Sequence, residues 1–245
     1  MSSDATLFIG VDPSAGRKPF TYAALDQYGK LAALQRSGVE ETLAFIADQP
    51  AAIVAVNTPP RPGAGLLRHE KTGKNLDMRP VEYQLRQRGI KVAGTPSLEA
   101  NCAPRLRAGF HFHRRLESLG FAPFPASEAP RCWLETHPHA VFCVLLGQVP
   151  LPRSSLEGRQ QRQLILYEQR LIIRDPMEFF EEVTRHKLLK GILPLEQIYT
   201  PDELDALAAA YTAYVAGRHP ARMGSVGNPQ EGQIFLPIAA LKEKY

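Results

Sequence analysis

Residues 199–217, YTPDELDALAAAYTAYVAG, predict a helix with no charged, solvated face. Thr200 is placed to cap its N-terminus, Pro201 suits the first helical position, and Glu203 completes a capping box. Gly217 is placed to end it. At about 100° per residue, Leu204, Leu207, Ala208, Tyr211 and Val215 form one apolar face. Asp202 and Asp205 fall on the opposite side, among Ala209, Thr212 and Ala216. These are small residues over which another backbone can approach closely. The fold must therefore supply a layer on each side of this helix and something to meet its acids.

The rest of the chain predicts that layer. "TLFIGVDPSAG" is a short apolar run that reaches Asp12 and then turn residues, which reads as a buried strand with an acid at its exit. "KPFTYAALDQYGKLAALQRSG" predicts two strands joined by a hairpin at Gln27–Lys30. "VEETLAFIADQ" predicts a helix. "PAAIVAVNTPP" predicts another buried strand, ending on Asn57 before prolines stop it. Arg61–Arg79 reads as an exposed loop. Further along, "RPVEYQLRQRG" predicts a helix, "IKVAGTPS" a strand and "PRLRAGFHFHRRLESLG" a helix. "CWLETHPHAVFCVLLG" predicts a strand that turns into a helix near His137, "SLEGRQQRQLILYEQRLI" and "PMEFFEEVTRHKLLKG" two helices, and "GQIFLPI" a last strand. This order predicts an α/β fold with a mixed sheet flanked by helices. We read one domain over 1–245, with a basic insertion around 61–118 and a helical elaboration around 155–190.

At 245 residues and 44% apolar composition the chain can bury such a sheet. No run of about 18 apolar residues is present, which predicts no membrane-spanning helix. The polar start predicts no signal peptide. Cys102, Cys132 and Cys143 form no CxxC pair and predict a reducing, cytoplasmic setting, without a disulfide framework or structural zinc. The net charge of +4 is unevenly spread: residues 61–118 hold 12 Lys/Arg against 5 Asp/Glu. Such a patch suits a polyanion, nucleic acid first. It is equally the pattern of a solvated basic surface.

Asp12 and Asn57 stand where core strands leave the sheet, the usual place for a site in α/β proteins. Glu135 ends the run "CWLE". If these residues and Asp205 converge, their like charges call for a cation. Hard oxygen donors select Mg²⁺ or Mn²⁺. A metal held this way can activate water for phosphodiester hydrolysis. Plainer roles exist for each: Asp12 in a "DPSAG" turn, Asp202 and Asp205 against the helix dipole, Glu135 paired with a base, and Asn57 capping a turn.

A strand with a terminal Asp, a hairpin, a helix, a strand with a polar end and a late helix bearing D-x-x-D resemble the ribonuclease H-like fold. "DELDALAAAYTA" resembles the last helix of Holliday-junction resolvases of that fold. The chain is more closely similar to domain of unknown function 429, a bacterial family described as predicted RNase H-like nucleases. The motifs are "GVDPSAG", "VAVNTPP", "LETHPHAVF", "EGRQQR", "DALAAAYTA" and "EGQIFLP", in order along most of the chain. The resemblance implies catalytic and metal-binding roles for Asp12, Glu135 and Asp205, with Asp202 and Asn57 as further metal ligands. One position departs: the central strand ends in an acid in that family and here ends in Asn57, which offers one neutral oxygen. One metal, a substitute ligand in Glu135, or a site that has lost catalysis all follow from that change.

Two functions are thus expected: a metal-dependent phosphodiesterase acting on nucleic acid, or a non-catalytic nucleic-acid or protein-binding module on a degenerate scaffold. Sugar kinases and actin-like ATPases share this sheet order, but the chain has no Gly-rich phosphate loop of their kind. Arg105, Arg107, Arg114 and Arg115 on one predicted helix are candidates to grip phosphates. So are Arg159 and Arg162, three apart in "GRQQR", with Gly158 near a helix start that suits an anion. His137 and His139 flank Pro138 at a helix start. His111 and His113, two apart on a helix, cannot share a ligand face.

Overall fold

The structure is a computed structural model that describes residues 6–16, 18–68, 73–126, 129–184 and 189–245. Strand β1 (Leu7–Asp12) pairs antiparallel with β2 (Phe20–Leu25), which pairs antiparallel with β3 (Leu31–Ser37). Helix α1 (Val39–Ala47) then crosses to β4 (Ala52–Val56), which lies parallel to β1 on its other side. A short hairpin of β5 (Leu67–Arg68) and β6 (Asn75–Leu76) precedes α2 (Pro80–Gln87) and α3 (Pro104–Ser118). After β7 (Ala122–Pro123), strand β8 (Arg131–Glu135) joins parallel to β4, giving the order β3-β2-β1-β4-β8-β7. Among the described residues the α-helices that follow are α4 (Pro138–Leu146), α5 (Leu156–Glu168), α6 (Glu178–Glu182) and α7 (Pro201–Arg218). A separate hairpin, β9 (Gly224–Asn228) and β10 (Gly232–Leu236), closes the chain.

Side chains alternate across the strands, and the alternation builds two cores. Ile9, Val11, Tyr22, Val54 and Val56 pack with Leu43 and Ile46 of α1 and Phe112 and Leu116 of α3. Phe8, Ala23, Leu25, Ala55 and Leu134 face the other way, onto α4, α5 and α7. Helix α7 is buried along nearly its whole length and packs on β1, β2 and β4 beneath α4 and α5. Its small face meets β1 at Gly10, where a Cβ would lie 2.1 Å from the Ala206 carbonyl oxygen and 2.1 Å from the Ala210 nitrogen. That is the close backbone approach that the small residues of α7 permit, and it brings the acidic first turns of α7 to the end of β1.

The mixed α/β sheet, the first hairpin and the strand-to-helix switch at His137 follow the sequence. The capping box on Thr200 and Glu203 is formed, while α7 runs past Gly217 to Arg218. "IKVAGTPS" is no strand. Its backbone is taken up by side chains instead: Arg86 Nε donates to the Val92 carbonyl, and the Thr95 N–H donates to Glu82. In "PMEFFEEVTRHKLLKG" α6 is five residues long, and 185–188 lie outside the described residues. The three cysteines are free and buried. Among the described residues no helix is long and apolar enough to cross a membrane.

Candidate functional site at the carboxyl edge of the sheet

The ladder between β1 and β4 extends by one bond, Asn57 N–H to the Val11 carbonyl at 2.9 Å. Asp12 and Asn57 thus stand side by side at the carboxyl edge, and Asn57 Nδ2 donates to Asp12 Oδ1 at 2.7 Å. Asn57 acts there as a donor that orients the carboxylate. Arg105, from the first turn of α3, donates to the same Asp12 oxygen at 2.7 Å and to the Asn57 and Pro13 carbonyls, both at 2.8 Å. From the other side, Arg153 in the loop before α5 bridges the two acids of α7. Its Nε meets Asp205 Oδ2 and its Nη2 meets Asp202 Oδ1, each at 2.8 Å. All of these residues line one cleft of about 520 Å³, together with Lys18, His137 and His139.

The electrostatics of the cleft are set by burial. Desolvation, and then the negative charge of Asp12, push the Asp205 carboxyl up to about 7, against the pull of Arg153 and Arg105. His137 accepts from the Ala140 N–H at 3.3 Å as the cap of α4, and burial lowers it to about 3. Burial lowers His139 as well, and its Nε2 lies 3.8 Å from Cys143 Sγ. Both histidines are neutral packing and capping groups.

Glu135 is not in this cleft. The ladder from β4 to β8 pairs Val56 with Glu135 and continues with Thr136 N–H to the Val56 carbonyl at 3.0 Å. Thr136 is therefore the residue level with Asp12 and Asn57, and its hydroxyl donates to the Phe235 carbonyl at 2.9 Å on the α7 side. Glu135, one position earlier, points to the opposite face. There it is paired with buried Arg79, whose Nη1 donates to Glu135 Oε2 at 2.8 Å and whose Nη2 meets Oε1. Arg79 Nε also donates to Glu82 at 2.9 Å. The expected convergence of three acids thus reduces to Asp12 and Asp205, with Asp202 a turn away.

The six arginines read as phosphate grips separate. Arg105 enters the cleft. Arg107 lines a neighbouring surface hollow with Lys18 and His111. Arg114 lies over the far face, near Glu135. Arg115 pairs with Glu40 at 2.9 Å on the surface. Arg159 and Arg162 are packing groups: Arg159 holds the Tyr199 and Ile198 carbonyls at 2.8 Å, while Arg162 is buried over the Phe142 ring. Gly158 gives close packing instead of an anion site, since a Cβ there would lie 1.9 Å from the Pro152 carbonyl oxygen. Arg79 and Arg153 were not legible as site residues. Arg79 leaves a local trace, three residues before Glu82, and Arg153 leaves none.

The donor set can be tested against a metal. Among the described residues no group of three or more His, Cys, Asp and Glu side chains is arranged to hold one. Asp12 and Asp205 line one cleft, each held by an arginine, and the Asn57 amide is spent on Asp12. Two carboxylates are a donor count for one hard divalent cation completed by water or phosphate oxygens, and too few for a pair.

Fold and site together define an α/β protein with an acid- and arginine-lined cleft at the carboxyl edge of a mixed sheet. The chain belongs to the family described as "Protein of unknown function (DUF429)", whose model matches residues 10–231. No curated protein and no solved structure gives a significant match.

Proposed function

We propose that the chain is an RNase H-like phosphodiesterase acting on nucleic acid with one Mg²⁺ or Mn²⁺ held by Asp12 and Asp205. The observation that carries this reading is their meeting in one cleft, from the end of β1 and the second turn of α7, flanked by two half-exposed arginines. The sheet order supports it: an antiparallel hairpin unit with β4 and β8 parallel to β1 resembles the order of the ribonuclease H-like fold. When bound, the cation would lower the pKa of a water and polarise a phosphoryl oxygen.

The chain's own groups divide the remaining work. Asn57 and Arg105 fix the Asp12 carboxylate. Arg105 is anchored on two carbonyls and keeps donor capacity for a phosphate oxygen. Arg153 holds Asp205 and Asp202, and with Lys18 it adds positive charge at the cleft wall. His137 and Pro138 close the floor.

The test is cleavage of labelled single- and double-stranded DNA and RNA with Mg²⁺ or Mn²⁺. Activity that falls at least about 100-fold in both Asp12→Asn and Asp205→Asn supports the reading. Oligonucleotide binding without cleavage, unchanged in both variants, favours the second reading, a binding module. Asn57 in place of an acid is the feature that speaks for it.

A further inference from the structure

Beside β8, apart from the Asp12 cleft, lies a second, more enclosed pocket of about 500 Å³, walled by Trp133, Phe124, Phe235 and Phe110 and ending on Glu135. Beneath it two carboxyl groups, those of Glu82 and Glu135, share the one guanidinium of buried Arg79. The two acids are not equally satisfied. Glu82 accepts four bonds, from Arg79 Nε and N and from Thr95 N and Oγ1. Glu135 accepts two, both from Arg79, and each of its oxygens keeps a free lone pair. Of these two acids Glu135 reaches the pocket, whose lining also includes Glu117, Glu231, Arg61 and Arg114.

We infer that this pocket binds a planar heteroaromatic ring carrying an exocyclic amino group, the chemistry of cytosine or adenine. The aromatic walls give the ring faces to pack on. The amino group donates to the free lone pair of Glu135. The volume lies in the range of small-molecule sites. A ring with a carbonyl in place of the amino group sets two acceptors against each other and is rejected, as sites built on a hydrogen bond reject the analogue without it. The site is independent of the Asp12 cleft and of any chemistry there.

Trp133 is the single tryptophan of the chain, so its emission reports on this pocket alone. Cytidine and uridine, which differ in amino against carbonyl at one ring position, are titrated against the full-length protein. The inference expects a saturable change in emission with cytidine, at least tenfold weaker affinity for uridine, and the same cytidine affinity in Asp12→Asn. Glu135→Gln should lower the cytidine affinity at least tenfold. If that variant does not fold, the cytidine–uridine comparison on the unaltered protein decides. No saturable response to cytidine at millimolar concentration, equal affinities for the two, or loss of the response in a folded Asp12→Asn overturns it.

Discussion

Two sets of acids and arginines lie at one edge of one sheet, on opposite faces. On the α3 face, Arg79 is 2% exposed and meets Glu82 and Glu135 through several bonds. On the α7 face, Arg105 and Arg153 meet Asp12 and Asp205 with their own side chains 40% and 45% exposed. The pairings are chemically alike, and burial of the base separates them. A buried guanidinium cannot leave its acids without stranding three charges. A half-exposed one can turn to solvent or to a phosphate and release a carboxylate to a cation. The first set clasps α2 to β8 through a base that stays in place, and the second keeps its bases free to turn toward solvent or a ligand.

The largest effect should separate the two sets directly. Arg79→Met leaves two buried carboxylates without their base, and breaking a buried pair costs about 3–5 kcal/mol. Arg105→Met, at a base in reach of water, should cost about 1 kcal/mol or less. Urea denaturation of both variants measures the difference, and equal losses would break the comparison.

A smaller effect comes with pH. Asp205 is raised from 3.8 to about 7, so between those values the native protein holds a proton that the unfolded chain has lost. The contribution of this group to stability is complete below about pH 4 and is lost as pH rises through 7. Asp205→Asn should therefore melt above the unaltered protein at pH 8 and show no such gain at pH 4. A gain of the same size at both pH values would contradict the assignment.

The smallest expected effect sharpens the role of Asn57. Asn57→Asp replaces a donor 2.7 Å from Asp12 with a third acid. The metal-free protein should lose about 1 kcal/mol, since like charges then face each other. Mn²⁺ should return that stability through preferential binding to the folded state. Thermal melts with and without Mn²⁺ check both halves, and an unchanged apo melting temperature would place Asn57 outside any acidic cluster.

The sheet was legible because its signals are local. The apolar runs ending at Asp12 and Asn57, the turn at Gln27–Lys30 and the cap at Thr200 each specify their element within a few residues. The small face of α7 also gave the close approach to β1. The site was legible only in part. Asp12 and Asp205 could be read from strand exit and helix face, but Glu135 depended on strand register, and a one-residue offset put it on the other face. Arg153 lies in a loop whose position only tertiary packing fixes. Many arginines of the basic segment are spent on internal carbonyls and carboxylates, which charge counting cannot see.

The central claim is that Asp12 and Asp205 form one cation site, and Mn²⁺ titration by calorimetry tests it most directly. One ion per chain, with affinity at least tenfold weaker in Asp12→Asn and in Asp205→Asn and unchanged in Glu135→Gln, is the predicted result. Mn²⁺ binding unaffected by the two aspartate substitutions, or no binding at millimolar Mn²⁺, would contradict it.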